Sequence, residues 1–388
     1  MLTVLRDLFR PRKQQEGFAF SRPLVLLQSD DWGRVGVRDR DGYEYLRARG
    51  LRLGERPYDL YTLETADDVN AVASLLARHR DSTGRTACLV MNACTANLDF
   101  PGMRKENFAR MQLLPLTKGL PGKWSRPGLL EAYRHGIEGG VFFPAPHGMT
   151  HCNPVAIDNA VAEDGERARL LKLLWDAETP YIYWRMPWVG YEYLNPEKPQ
   201  AGFLTLDRQR DLVSQNCQYF TDLFGTKPIS TCAPGFRSNR DTHRAWSENG
   251  ICVVQNGTGS GLRQPHLDEF GLLHLYRAID FEPSHRELDT EKYLEIAAAC
   301  LSRGLPIIVS MHSINFHSTL KDFRSGSLAA LDKLLSALEA RYPELLYVND
   351  EDLYRIVTVG AFQSNTAKVK VAVTGHEWTS KASRQEAF

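Results

Sequence analysis

The sequence predicts an α/β protein: an irregular (β/α) barrel of seven or eight units, with parallel strands and an active site at their C-terminal ends. Three observations predict it. Apolar runs recur along the 388-residue chain, helical patterns with capping residues lie between them, and titratable side chains collect just after the runs. A doubly wound open sheet is the competing topology, and it too places function past the strand ends.

In order, the runs are PLVLLQ (23–28), ACLVMNA (87–93), GVFFPAP (140–146), PISTCAP (228–234), ICVVQNG (251–257), LLHLYRAIDF (272–281), PIIVSMHS (306–313) and LLYVND (345–350). They read as apolar on both faces, as strands covered by helices must be. Between them, Thr65 opens ADDVNAVASLLARH, and Ser125 with Pro127 opens GLLEAYRHGIEGG. Asp207 lies near the start of RDLVSQNCQYFTDLFG, and DTEKYLEIAAACLSRG runs from Asp289 to Gly304. The barrel is expected over residues 21–360, after an N-terminal arm (1–20) and before a C-terminal tail (361–388). The tail's AKVKVAVTGHEW alternates like an edge strand, with His376 structural or free.

Composition bounds the class. A 43% hydrophobic and 24% charged chain with zero net charge is a globular protein, and it lacks the basic surplus that phosphate neutralisation demands of a nucleic-acid binder. Seven dispersed cysteines without a CxxC pair read as reduced core thiols of a cytoplasmic protein. Neither a signal-peptide h-region nor a membrane-length apolar run is present. Leu2, Leu5, Leu8 and Phe9 share one helical face flanked by Arg6, Arg10, Arg12 and Lys13. Such an arm docks on its own domain or lies peripherally on an anionic inner-membrane face; docking suits so short a segment.

The strand ends carry the chemistry. Asp30 and Asp31 follow the first run; His147 and His151 follow the third; Arg237 and Asn239 the fourth; Arg277, Asp280 and Glu282 the sixth; His312 and His317 the seventh. Adjacent carboxylates at the end of a buried strand repel each other and resist desolvation, so something must offset them. His147 and His151 are spaced i, i+4, which on a helical turn aims both imidazoles one way. Two imidazoles and a carboxylate make a compact site for a divalent cation with open positions. One carboxylate of the pair then neutralises the cation while the other is held ionised beside it. Alternation along a strand means the pair is expected to straddle the strand end, where the backbone turns.

SDDWG resembles the first motif of the NodB-type polysaccharide deacetylases, carbohydrate esterase family 4. HGMTH is similar to their second motif, two histidines four apart, and SMHS to their late histidine motif; order and strand-end placement also agree over about residues 23–350. The resemblance implies that Asp31, His147 and His151 bind one divalent metal, with zinc first and cobalt, nickel or manganese as alternatives. It implies Asp30 as the base that deprotonates the attacking water and His312 as the acid that protonates the leaving amine. Arg237 is then expected on Asp30, and Asp280 on His312.

Two departures stand out. Where the family's third motif has its arginine before the proline, this chain has Cys232, and Arg237 follows in APGFRSN. This resembles the deformylases of a lipid-linked aminoarabinose and deacetylases encoded with O-antigen loci. The fourth motif's aspartate–tryptophan pair is replaced by Asp280 and Phe281 in DFEP.

Substrate contacts are expected from Trp32, from Asn92, and from Pro234, Gly235 and Phe236, whose backbone could complete an oxyanion site. Residues 181–195, YIYWRMPWVGYEYLN, offer Trp184 for a sugar ring and Arg185 for a phosphate, or else form a packed insertion over the barrel. His317 is expected to support His312, and Cys152 to pack beside His151. The expected activity is removal of an acetyl or formyl group from an amino sugar in a nucleotide- or lipid-linked cell-surface glycan precursor. An allantoinase-like hydrolase of a small amide is the second reading, and an inactive carbohydrate-binding homologue the third.

Overall fold

A computed structural model of the chain describes residues 17–195, 202–364 and 367–375. Nine parallel strands build its centre. They are β1 (Leu24–Trp32), β2 (Leu89–Ala93), β3 (Phe142–Pro146), β4 (Ser230–Cys232), β5 (Val253–Asn256), β6 (Leu273–Tyr276), β7 (Ile279–Asp280), β8 (Ile307–His312) and β9 (Leu346–Tyr347). Every apolar run of the sequence contributes. The run 272–281 contributes twice, because the chain leaves one ladder at Arg277 and enters another at Ala278: the Arg277 amide donates to the Asn256 carbonyl, the Ala278 amide to that of Ile308.

One sheet has the order β7-β8-β1-β2-β3, with β9 beside the foot of β1; the other runs β4-β5-β6 and ends on the short antiparallel strand His266–Leu267. The order is sequential all the way round and returns to β1 through β8. A doubly wound sheet reverses its order at a switch point instead. No ladder joins β3 to β4 among the described residues; the Thr231 hydroxyl donates to the Pro146 carbonyl across that seam at 3.0 Å. The expected barrel is therefore an open, irregular one whose two sheets share an interior.

All nine residues of β1 are buried, which places its apolar Leu24 to Leu27 in the core and leaves Gln28 to Asp31 to be satisfied by neighbours. Each buried aliphatic side chain contributes about 1.5–3 kcal/mol. Helices cover the strands as the sequence implied. Ala66–Leu76 starts at Thr65 in a capping box with Asp68, and Thr290–Leu301 is capped by Asp289. Leu129–Glu138 starts instead at Gly128, and Leu206–Phe224 is capped by Thr205.

Ala19–Phe20 pairs antiparallel with Val373–Thr374, and Lys368–Lys370 with Ala361–Gln363. The alternating tail thus joins the start of the barrel domain to its end. The amphipathic residues of the arm, and His376, lie outside the described residues. Among those described, no helix is long and apolar enough to cross a membrane.

Candidate metal and catalytic site

At the end of β1 the register against β2 slips between Ser29 and Trp32, so Asp30 and Asp31 together face one residue of the neighbour. Asp31 takes φ +75°, the left-handed region that side chains other than glycine avoid. A regular strand would aim the two carboxylates at opposite faces; the bulge brings both within reach of His147. The strained carbonyl of Asp31 is held by the Tyr61 hydroxyl at 2.7 Å.

His147 and His151 lie on an irregular loop after β3, not on the helical turn their spacing implied, and His151 itself has φ +62°. The loop still brings them together. His147 Nε2 and His151 Nε2 each lie 3.6 Å from Asp31 Oδ1. That oxygen is buried and has no hydrogen-bond partner, while Asp31 Oδ2 takes the Arg34 guanidinium at 3.0 Å. His147 Nδ1 lies 2.9 Å from the Cys232 carbonyl, which can only accept, so Nδ1 carries the proton and Nε2 presents a lone pair. His151 Nδ1 lies 2.8 Å from the Tyr181 hydroxyl, which also takes a bond from Arg34.

Burial pushes His147 below its ordinary pKa and His151 down to about 3, so both rings are neutral. Two acceptors thus face each other with no proton between them. Such an arrangement is repulsive unless a cation sits there, and 3.6 Å is close to the edge of a tetrahedron of donors about 2.1 Å from an ion. Asp31, His147 and His151 fit a divalent metal.

Asp30 is held differently. Arg277, fully buried, donates from both terminal nitrogens to its carboxylate at 2.6 and 2.8 Å, and Asn92 adds a bond at 2.7 Å. Arg277 reaches on to Gln28, Ser310 and Gln255, which ties β1, β5 and β8 together inside the barrel. Burial alone would raise Asp30, but the Arg277 guanidinium, with the His312 imidazolium beside it, holds it well below the usual carboxylate range.

This corrects the expectation for Arg237, which is exposed and lies over the Tyr191 ring. The chain makes a sharp turn at Phe236, with φ +58°, that carries Arg237 away from the interior, whereas Arg277 sits where the chain crosses between sheets. Arg277 had a signal in the sequence, a lone arginine inside an apolar run. Asn92 likewise serves Asp30 and Gln255, not a substrate.

His312 Nδ1 lies 2.6 Å from Glu282 Oε1, and its Nε2 faces Asp30 Oδ2 at 3.9 Å. Asn315 fixes the other oxygen of Glu282 at 2.8 Å. Burial alone would lower His312, but Glu282, Asp30 and Asp31 raise it to about 9, so it is an imidazolium at neutral pH. Asp280 does not reach it: its half-exposed carboxylate pairs with Arg286 at 2.5 Å. The strand ends at Asp280, whose carboxylate turns out to Arg286, and Glu282, two residues past that end, is the one that reaches His312.

Other expectations also change. Trp32 is wholly buried, packed on Phe142 and Phe316, with its indole N–H on Ser29. It is core because the register shift between Ser29 and Trp32 turns its ring onto Phe142 and Phe316. Of the proposed oxyanion donors, Pro234 has no N–H and the Phe236 N–H is taken by the Ala233 carbonyl. Gly235 packs on Tyr191, and the Phe236 ring covers Arg277 at 4.9 Å.

Arg185 is not free for phosphate, since it grips Asp59 at 2.6 and 2.7 Å. His317 lies against Glu64 and the Tyr61 ring, beneath the turn after Asp31, and does not support His312. Trp184 is 53% exposed, with φ +69°, and meets Tyr58 and Tyr183 edge-on. Cys152 is buried and bonded to the Thr150 carbonyl. Cys232 lies 3.8 Å from Asp30, but burial raises its thiol well above the ordinary value and keeps it protonated.

No family model and no curated protein matches the chain. Among solved structures it is similar to a family 4 carbohydrate esterase from Streptomyces lividans, at 11% identity over 84% of this chain and 92% of that one, with TM-score 0.35. It is also similar to a 4-alpha-glucanotransferase from Thermococcus litoralis (11%, 87% and 41%, TM-score 0.44) and to a CE4 family pseudoenzyme from Bacillus anthracis (11%, 86% and 66%, TM-score 0.35). At such identities and scores the likeness carries no claim about the reaction.

Proposed function

We propose that the chain is a metal-dependent de-N-acylase of amino sugars, of the NodB-type carbohydrate esterase family 4. One observation carries the reading: the unpartnered Asp31 Oδ1 faced by the lone pair of His147 Nε2, with His151 at the same distance. A bound divalent ion, zinc first, supplies a Lewis acid that polarises the amide carbonyl and acidifies a water.

The chain's own residues supply the rest. Asp30, ionised at any working pH and aimed by Arg277, accepts the proton of the attacking water. His312, held as imidazolium by Glu282, stands across from it and donates a proton to the leaving amine nitrogen. A pair of groups whose environments push their pKa values apart in this way is what opposed base and acid roles require. Arg34 and Tyr61 hold the Asp31 turn, while Tyr58, Trp184 and His285 form an aromatic rim suited to the apolar face of a sugar ring. The substrate is an N-acetyl or N-formyl amino sugar in a nucleotide- or lipid-linked precursor.

The test is release of acetate or formate from such sugars by zinc-loaded protein, beside Asp31→Asn and His147→Ala. Acid release that both substitutions abolish is expected. Zinc binding unaffected by both would overturn the site, and zinc binding without any release from amino sugars would overturn the substrate class.

A further inference from the structure

Glu192 has no role in the reaction just described, yet it is only 2% exposed. It comes from the aromatic segment 181–195, and its two oxygens lie 3.0 and 2.9 Å from the Met149 amide, in the middle of the loop that joins His147 to His151. The fit is tight: a Cβ placed on Gly148, whose φ is +69°, would lie 1.7 Å from Glu192 Oε2. The same segment clamps the loop at two further points. The Asn153 amide donates to the Val189 carbonyl at 2.7 Å, and Tyr181 meets His151 Nδ1 at 2.8 Å.

We propose that Glu192 is a positioning residue for the metal. Its carboxyl group accepts the Met149 amide and holds the loop so that His147 and His151 present their Nε2 atoms to Asp31. The inference rests on the metal reading above and assigns the aromatic segment a second task, bracing the metal loop from behind while Trp184 faces outward. Burial pushes Glu192 up to about 8, so at neutral pH it is the neutral acid, and its carboxyl oxygen fixes the backbone path because a displaced amide would be left unpaired. Partners of this kind behind metal ligands change affinity by about 10- to 100-fold.

The experiment is calorimetric titration of the chelator-treated full chain with zinc, with circular dichroism at the same temperature to verify folding. Wild type is expected to bind about one zinc, and Glu192→Ala to bind it roughly 10- to 100-fold more weakly. Glu192→Gln, equal in size and keeping the carbonyl acceptor of the neutral acid, should bind zinc within about threefold of wild type. Gly148→Ala approaches the same contact from the loop and should weaken binding too. Folded Glu192→Ala and Gly148→Ala variants with wild-type affinity would overturn the positioning role and leave the metal site standing. A wild-type chain that binds no zinc would overturn the metal reading itself, and this inference with it.

Discussion

Among the described residues, two clusters of two histidines and one aspartate bring their ligand atoms within 4.8 Å of one another. Asp31, His147 and His151 form one; His243, Asp268 and His274 form the other, on the second sheet. In the second cluster Asp268 Oδ2 meets His274 Nε2 at 3.2 Å and His243 Nδ1 at 3.4 Å, closer than the first cluster's 3.6 Å. Composition and distance do not separate them; the protons do. The Asn256 amide nitrogen lies 3.3 Å from His274 Nδ1 and the Ser238 hydroxyl 3.1 Å from His243 Nε2, groups able to donate, so the nitrogens facing Asp268 carry the protons. The amides of Phe270 and Leu272 satisfy Asp268 Oδ1. Every polar atom there has a partner. At Asp31 a carbonyl behind His147 forces the opposite tautomer, and a buried oxygen is left without one. A histidine's back-side partner decides whether its front faces a proton's acceptor or a cation.

That contrast can be broken. Asp31→Asn should lose the metal and at least about a thousandfold in kcat/KM, whereas Asp268→Asn should keep the wild-type metal content. Metal analysis that followed Asp268 would reverse the comparison. Next in size, Arg277→Met strands the Asp30 carboxylate in the interior and should lower unfolding free energy by about 3–5 kcal/mol. Arg237→Ala, by contrast, removes an exposed contact with Tyr191 and should change it by no more than about 1 kcal/mol in the same denaturant titration. Asp268→Asn should lower stability by about 1–3 kcal/mol, through unsatisfied imidazole N–H groups, with the metal still bound.

Smaller effects sharpen the acid's role. Because the Glu282 carboxylate favours the imidazolium of His312, whose pKa stands at about 9, kcat/KM should fall as pH rises through that value. In Glu282→Gln the proton leaves earlier, and the alkaline limb should move down by about one unit or more. Asp280→Ala, at a half-exposed ion pair, should leave that limb in place and alter stability by less than about 1 kcal/mol.

Much of this was legible in the one-dimensional string because local rules suffice for it. Strands apolar on both faces, Thr65 and Asp289 as caps, and polar residues placed just after the apolar runs all follow from neighbours in sequence. So does the gathering of Asp31, His147, His151 and His312 at one end of the barrel, since parallel strands put all their C-termini on one face.

What only the tertiary structure decided is which distant groups answer them. Arg277 in place of Arg237, Glu282 in place of Asp280, Trp32 as core and Arg185 as the clamp on Asp59 depend on a bulge, a chain crossing and a left-handed turn. Glu192 had no sequence signal at all. Buried charges are paired through space, 30 residues apart for Glu282 and His312 and 247 apart for Asp30 and Arg277, and no spacing rule reaches that far.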